Sequence, residues 1–139
     1  MTVDSSVTPR PAVVVTGVSR FLGAHVAARL AADPRIGRVI GLDPQSPSAD
    51  LAAVLSGVEQ VRADARTAGA AIADLGAEVV VHLAVSSGPD PQGGRTAMKE
   101  QNVIGTMQLL AACQRAERLR KLVVRSSTAA YGASFRDPA

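Results

Sequence analysis

Apolar positions along the chain fall into two alternating kinds of run. Short stretches rich in β-branched residues, Ala12 to Thr16, Arg38 to Asp43, Glu59 to Ala63, Glu78 to Leu83 and Lys121 to Ser126, predict strands. The first and fourth of these are continuously apolar, as expected of parallel strands buried on both faces. Between the strands the period lengthens. Leu22, Val26, Ala27 and Leu30 share one face of a helix from about Phe21 to Ala32, which stops before Pro34. Ala49 to Leu55 predicts two helical turns ended by Gly57, and Thr67 to Leu75 predicts a short helix closed by Gly76. A long helix is predicted from Arg95 to Glu117, with Met98, Val103, Met107, Leu110 and Ala111 as its apolar side. Gly105 interrupts it at a cost of about 1 kcal/mol relative to Ala, so a close approach is expected there.

This alternation requires a parallel sheet with right-handed crossovers. The expected fold is α/β, a Rossmann-type doubly wound sheet of five strands in the order 3-2-1-4-5. Its switch point lies between the first and fourth strands, where the turn at Gly17 would face Ala84 to Ser87 across a crevice. Residues 1–11 read as a mobile tail, 12–132 as the domain and 133–139 as the start of a loop. The segment SSGPDPQGG, from Ser86 to Gly94, reads as a flexible loop beyond the carboxyl ends of the strands, where open α/β sheets keep their ligands.

The chemistry begins where the first strand gives way to the turn GVSRFLG, Gly17 to Gly23, which opens the first helix. A strand–turn–helix of this kind aims free backbone N–H groups and the positive end of a helix dipole at one spot, which suits a phosphate. Gly17 lets the chain leave the strand in a tight turn, and Gly23 lets the first helical turn pack close to that strand. The third glycine role of dinucleotide-binding turns, close backbone approach to the pyrophosphate, falls to Arg20. Asp43 closes the second strand, 26 residues past Gly17. A carboxylate there accepts hydrogen bonds from the adenosine ribose and repels a 2′-phosphate, favouring NAD over NADP; the alternative is a strand-end Asp that caps a turn.

Composition narrows the possibilities. With 139 residues the chain is one domain or part of one. Phe21, Phe135 and Tyr131 are its only aromatic residues, so the core must be built from Val, Leu, Ile and Ala. The net charge of +3 comes from scattered arginines with a modest cluster at Arg115, Arg118, Arg120, Lys121 and Arg125. Without a basic stripe and stacking aromatics, no nucleic-acid partner is expected. The single cysteine, Cys113, rules out an internal disulfide, fits a reducing compartment and should pack as a small hydrophobe. No apolar run reaches the roughly 18 residues of a membrane span and no signal pattern is present, so a cytoplasmic protein with no membrane partner is expected. His25 and His82 lack further ligands at metal spacing, and both read as structural, with no metal site.

Six elements, TGVSRFLG from Thr16, Asp43, the Asp64 segment, HLA from His82, NVIGT from Asn102 and SSTAAYG from Ser126, occur in an informative order. In that order they resemble the N-terminal half of the extended short-chain dehydrogenase/reductase family, the NAD-dependent epimerases and dehydratases, over Val13 to Gly132. The resemblance implies that Gly17, Phe21, Leu22 and Gly23 form the pyrophosphate turn, with the Phe21 and Leu22 N–H groups as donors. It places Asp43 at the adenosine ribose, Asp64 and the Ala65 backbone at the adenine edge, and Ala84, Val85 and Ser126 on the nicotinamide side. Asn102 matches the helix asparagine near the cofactor, and Ser127 the serine that hydrogen-bonds the reacting hydroxyl or carbonyl.

Two departures stand out. Arg20 replaces a family glycine, and either sweeps over the pyrophosphate as a cationic clamp or obstructs it. The family's Tyr-x-x-x-Lys pair is absent: Tyr131 is followed four positions on by Phe135. The expectation is therefore the NAD-binding part of a longer enzyme, truncated before the substrate domain and inactive alone, that would act on a sugar nucleotide or similar hydroxyl compound by hydride transfer. The competing expectation is a non-catalytic dinucleotide-binding sensor or scaffold. A homodimer through the 95–117 helix would suit either.

Overall fold

Three consecutive valines in the first strand divide the molecule into two faces. The computed structural model describes residues 9–64, 67–86 and 93–127. Its elements are β1 (Ala12–Thr16), α1 (Phe21–Ala31), β2 (Arg38–Asp43), α2 (Ala49–Val54), β3 (Glu59–Arg62), α3 (Ala68–Asp74), β4 (Val79–His82), α4 (Gly94–Arg115) and β5 (Lys121–Val124). Val14 packs with Ile40, Leu42, Ile72, Val80 and Leu109, beneath α3 and α4. Val13 and Val15 point the other way and pack with Ala24, Ala27, Val39, Leu55 and Val58, beneath α1 and α2. Side chains alternate across a strand, so one VVV run feeds both cores.

The five strands form one parallel sheet in the order β3-β2-β1-β4-β5. β1 is central: Val14 lies between Ile40 of β2 and Val80 of β4. β3 and β5 close the edges, pairing Asp43 with Arg62 and His82 with Val124. Every expected element is present within two residues of its expected ends, because each is bounded by glycine, proline or a change of hydrophobic period. Arg10 and Pro11, assigned from sequence to the tail, are tied down: the Gly37 N–H donates to the Pro11 carbonyl at 3.1 Å. Residues 1–8 and 128–139 lie outside the described residues, as do Ala65 and most of the 86–94 loop.

One expectation is overturned. The predicted apolar side of α4 faces outward, with Val103 58%, Met107 64% and Leu110 41% exposed. Its buried residues are Leu109 and Ala112, followed by Ala116 just past its end. The reason is the closeness of α3: a Cβ placed on Gly69 would come within 2.8 Å of the Ala112 Cβ. Helices that approach this tightly need small residues at the crossing, which leaves the bulky positions outside. The same happens on a smaller scale in α1, where Gly23, Ala24 and Ala27 are buried and Leu22 is 42% exposed. Cys113 packs half-buried against the α3/α4 core as expected, and burial pushes its thiol pKa up.

Two substitutions test this packing. Ile72→Ala removes a fully buried side chain and should lower unfolding stability by about 3 kcal/mol in urea melts. Gly57→Ala, whose Cβ would meet only the Ala31 methyl at 3.9 Å, should be neutral or stabilising by about 0.5 kcal/mol.

Candidate functional site

The ends of β1, β2 and β4 converge on Gly17. Its N–H donates to the Leu42 carbonyl at 3.0 Å, and its φ of +82° suits a residue without a Cβ. A Cβ there would also lie 2.9 Å from the Ala84 nitrogen. At Gly23 a Cβ would fall 2.0 Å from the Gly17 carbonyl oxygen. Glycine is thus demanded twice, once by the strand–strand approach and once by the helix–turn approach.

Beyond the turn, Arg20 is the N-terminal flanking residue of α1, with ordinary extended backbone (φ −110°, ψ 158°) and an exposed side chain. No side chain caps this helix and its first turn carries no acid. An uncapped helix start leaves N–H groups and the positive dipole end facing outward, beside a guanidinium. Such an arrangement accepts an anion.

Asp43, at the end of β2, is buried and borders a small space with Val18, Gly41 and Gln45. Its Oδ2 accepts the Ser19 N–H and its Oδ1 accepts the Gln45 N–H, each at 2.9 Å. The acid therefore locks the glycine turn to the β2–α2 loop, and each oxygen keeps a further lone pair. Asp64 lies across the cleft; its Oδ1 accepts from the Thr67 N–H at 2.9 Å and from the Thr67 hydroxyl at 3.0 Å. On the Asp64 side a groove of about 400 Å³ is lined by Pro44, Asp64, Ala97, Glu100, Ile104 and Gly105, among others. It continues inward to a smaller space of about 80 Å³ that touches Thr16, His82 and Ala84.

Beneath the Gly17–Ala84 contact sits a polar brace that the sequence reading did not identify. The Thr16 Oγ1 accepts the Leu83 and Ala84 N–H groups at 3.2 and 3.3 Å. With both lone pairs so occupied, its hydrogen is left to donate to His82 Nδ1, 2.7 Å away. His82 is then the neutral tautomer whose Nε2–H donates to the Thr106 Oγ1 at 3.3 Å. Burial holds its pKa below the ordinary imidazole value.

The chain can be set beside known proteins at this point. The profile of the NAD dependent epimerase/dehydratase family matches residues 13–139. The chain belongs to that family. An uncharacterized protein of Mycobacterium tuberculosis is 46% identical over 128 residues, covering 91% of this chain and 34% of its own length. Among solved structures, the fold is similar to dTDP-glucose 4,6-dehydratase from Bacillus anthracis in complex with NAD (TM-score 0.72, 18% identity, 92% of this chain and 41% of that one). It is also similar to UDP-glucose-4-epimerase from Stenotrophomonas maltophila with bound NAD and formylated UDP-arabinopyranose (TM-score 0.71, 23% identity, 93% and 40%). The chain spans about a third of the length of its curated relative.

Within this epimerase/dehydratase-family chain, the structure brings most of the sequence-predicted residues to one rim. Gly17, Arg20, Phe21, Leu22 and Gly23 form the turn and the start of α1, Asp43 is bonded to that turn, and Ala84 abuts it. Asn102 does not face open space: its Oδ1 accepts the Ser86 N–H at 2.9 Å and its Nδ2 donates to the Ser86 carbonyl at 2.8 Å. Ser126 and Ser127 are exposed just past the end of β5, while Ala65 lies outside the described residues. His82 was read from the sequence as structural, but its link to Thr16 and Thr106 was missed because it depends on the register that sets Thr16 beside His82. The available signal was that two apolar strands each end in one polar residue. Among the described residues, no group of three or more His, Cys, Asp or Glu could hold a metal, and no helix is long and apolar enough to cross a membrane.

The brace has a pH signature. Unfolded His82 takes up a proton below about 6.5, while the folded residue resists until lower pH. Its contribution is therefore intact above 6.5 and is lost as pH falls from there through the folded value. The thermal midpoint should drop between pH 7 and pH 5, and His82→Gln, neutral throughout, should flatten that part of the profile.

Proposed function

We propose that the groove binds NAD, and that the chain is the cofactor-binding part of a longer oxidoreductase of the epimerase or dehydratase kind. In that protein the substrate would be a sugar nucleotide or similar hydroxyl compound. One observation carries the reading: an uncapped helix start is hydrogen-bonded, through Ser19, to a buried acid at the next strand end. Phosphate wants the first and ribose hydroxyls want the second.

In this reading the N–H groups of Phe21 and Leu22 hold the pyrophosphate, and Arg20, extended and exposed beside them, clamps its charge. Asp43 receives the adenosine ribose on its remaining lone pairs, while Asp64 and the Ala65 backbone meet the adenine edge. Ala84, Val85 and Ser126 line the nicotinamide side, with Asn102 beside them. Bound NAD would accept a hydride from a substrate carbon bearing a hydroxyl. Ser127 would hydrogen-bond the reacting oxygen. The proton-accepting Tyr-x-x-x-Lys pair is not in these 139 residues, so no turnover is expected from them alone. The outward apolar residues of α4, Val103, Met107 and Leu110, support a homodimer through that helix. A free thiol at Cys113 suits the cytoplasm.

Calorimetric titration tests the adenosine and pyrophosphate parts of the cofactor site. The chain should bind NAD more tightly than NADP, and a preference for NADP would contradict the role given to Asp43. Arg20→Gly should weaken NAD binding by roughly fivefold, the equivalent of about 1 kcal/mol for an exposed charge contact. Unchanged affinity removes Arg20 from the site.

A further inference from the structure

The segment Ala84–Ser86 leaves β4 without strand partners of its own, yet side chains from three elements hold it. Thr16 of β1 accepts the Ala84 N–H, and Asn102 of α4 brackets both polar groups of the Ser86 backbone. The third anchor comes from Arg125, immediately after β5. Its Nη2 donates to the Val85 carbonyl at 3.1 Å, and its own backbone N–H donates to the His82 carbonyl at 3.1 Å. Arg125 is half-buried and precedes Ser126 and Ser127 directly. One residue thus fastens the serine-bearing strand end to β4 by its main chain, at His82, and to the 84–86 segment by its guanidinium, at Val85. A charged donor makes a stronger and more directional bond than a neutral one.

We propose that Arg125 is a positioning residue that fixes Val85, and with it the nicotinamide wall of the groove, relative to Ser127. This rests on the NAD reading given above. The anchors of the adenosine half, Ser19, Asp43 and Asp64, are bonded to other groups, so a loosened Val85 should be felt at the nicotinamide and not at the rest of the cofactor.

The test is titration of the chain with NAD and, separately, with ADP-ribose, which lacks the nicotinamide, in wild type, Arg125→Gln and Arg125→Lys. Arg125→Gln should weaken NAD by roughly tenfold, the scale of one charge-assisted hydrogen bond, and leave ADP-ribose within about twofold. Arg125→Lys, a weaker and non-planar donor, should lose NAD affinity selectively but less, and it carries the test alone if the Gln variant does not fold. Equal losses for both ligands, or no loss of NAD affinity in either variant, overturn the positioning role. A wild-type chain that binds neither ligand overturns the NAD reading instead.

Discussion

Backbone meets backbone at the rim of the sheet, and that close meeting is the constraint on which the remaining structure depends. Gly17 lies against the Ala84 main chain, and Gly23 lies against the Gly17 carbonyl, each too close for a Cβ. With those approaches in place, α1 starts just past the end of β1 with its first turn uncapped. Val18, next in the turn, fills the space over Gly41 in β2, where a Cβ would lie 2.8 Å from a valine methyl. The turn is therefore held by contact with β2 and with the segment that follows β4, as well as by its own hydrogen bonds.

Such a rim gathers polar backbone where water is scarce, and the chain satisfies it with side chains. Thr16 serves the Leu83 and Ala84 N–H groups, Asp43 serves those of Ser19 and Gln45, and Asn102 serves Ser86. Among the described residues no buried side-chain nitrogen or oxygen lacks a partner. A buried polar group left alone costs about 1–3 kcal/mol, so these residues are both scaffold and site wall. Side chains that a motif would place beside a ligand also bond the protein itself. Asn102 is the clearest case: both ends of its amide are used on one peptide segment.

Legibility from sequence followed the range of the interactions. The strands came from local apolar runs and their order from the likeness of the glycine turn to dinucleotide-binding folds, and Gly17 and Gly23 were readable because their turn is local. The outward side of α4 was misread because burial there is decided by Gly69 of α3, more than forty residues upstream of Ala112. Periodicity finds an apolar stripe, but it does not say which stripe a close helix crossing will accept. The Thr16–His82–Thr106 brace and the Arg125–Val85 bond are likewise long-range, and neither carries a local pattern.

The sequence by itself determined the α/β alternation, the aliphatic character of the core, the parallel hand of the crossovers and the glycine turn with its acid at the next strand end. Those follow from hydrophobic period, residue size and chain handedness, which act over a few residues or through simple topology. Only the tertiary structure decided which face of α4 is covered, which tautomer His82 adopts and whether Asn102 faces solvent or the main chain. Each of these depends on a partner brought alongside by sheet register or helix packing, and such partners exist only once the chain has folded.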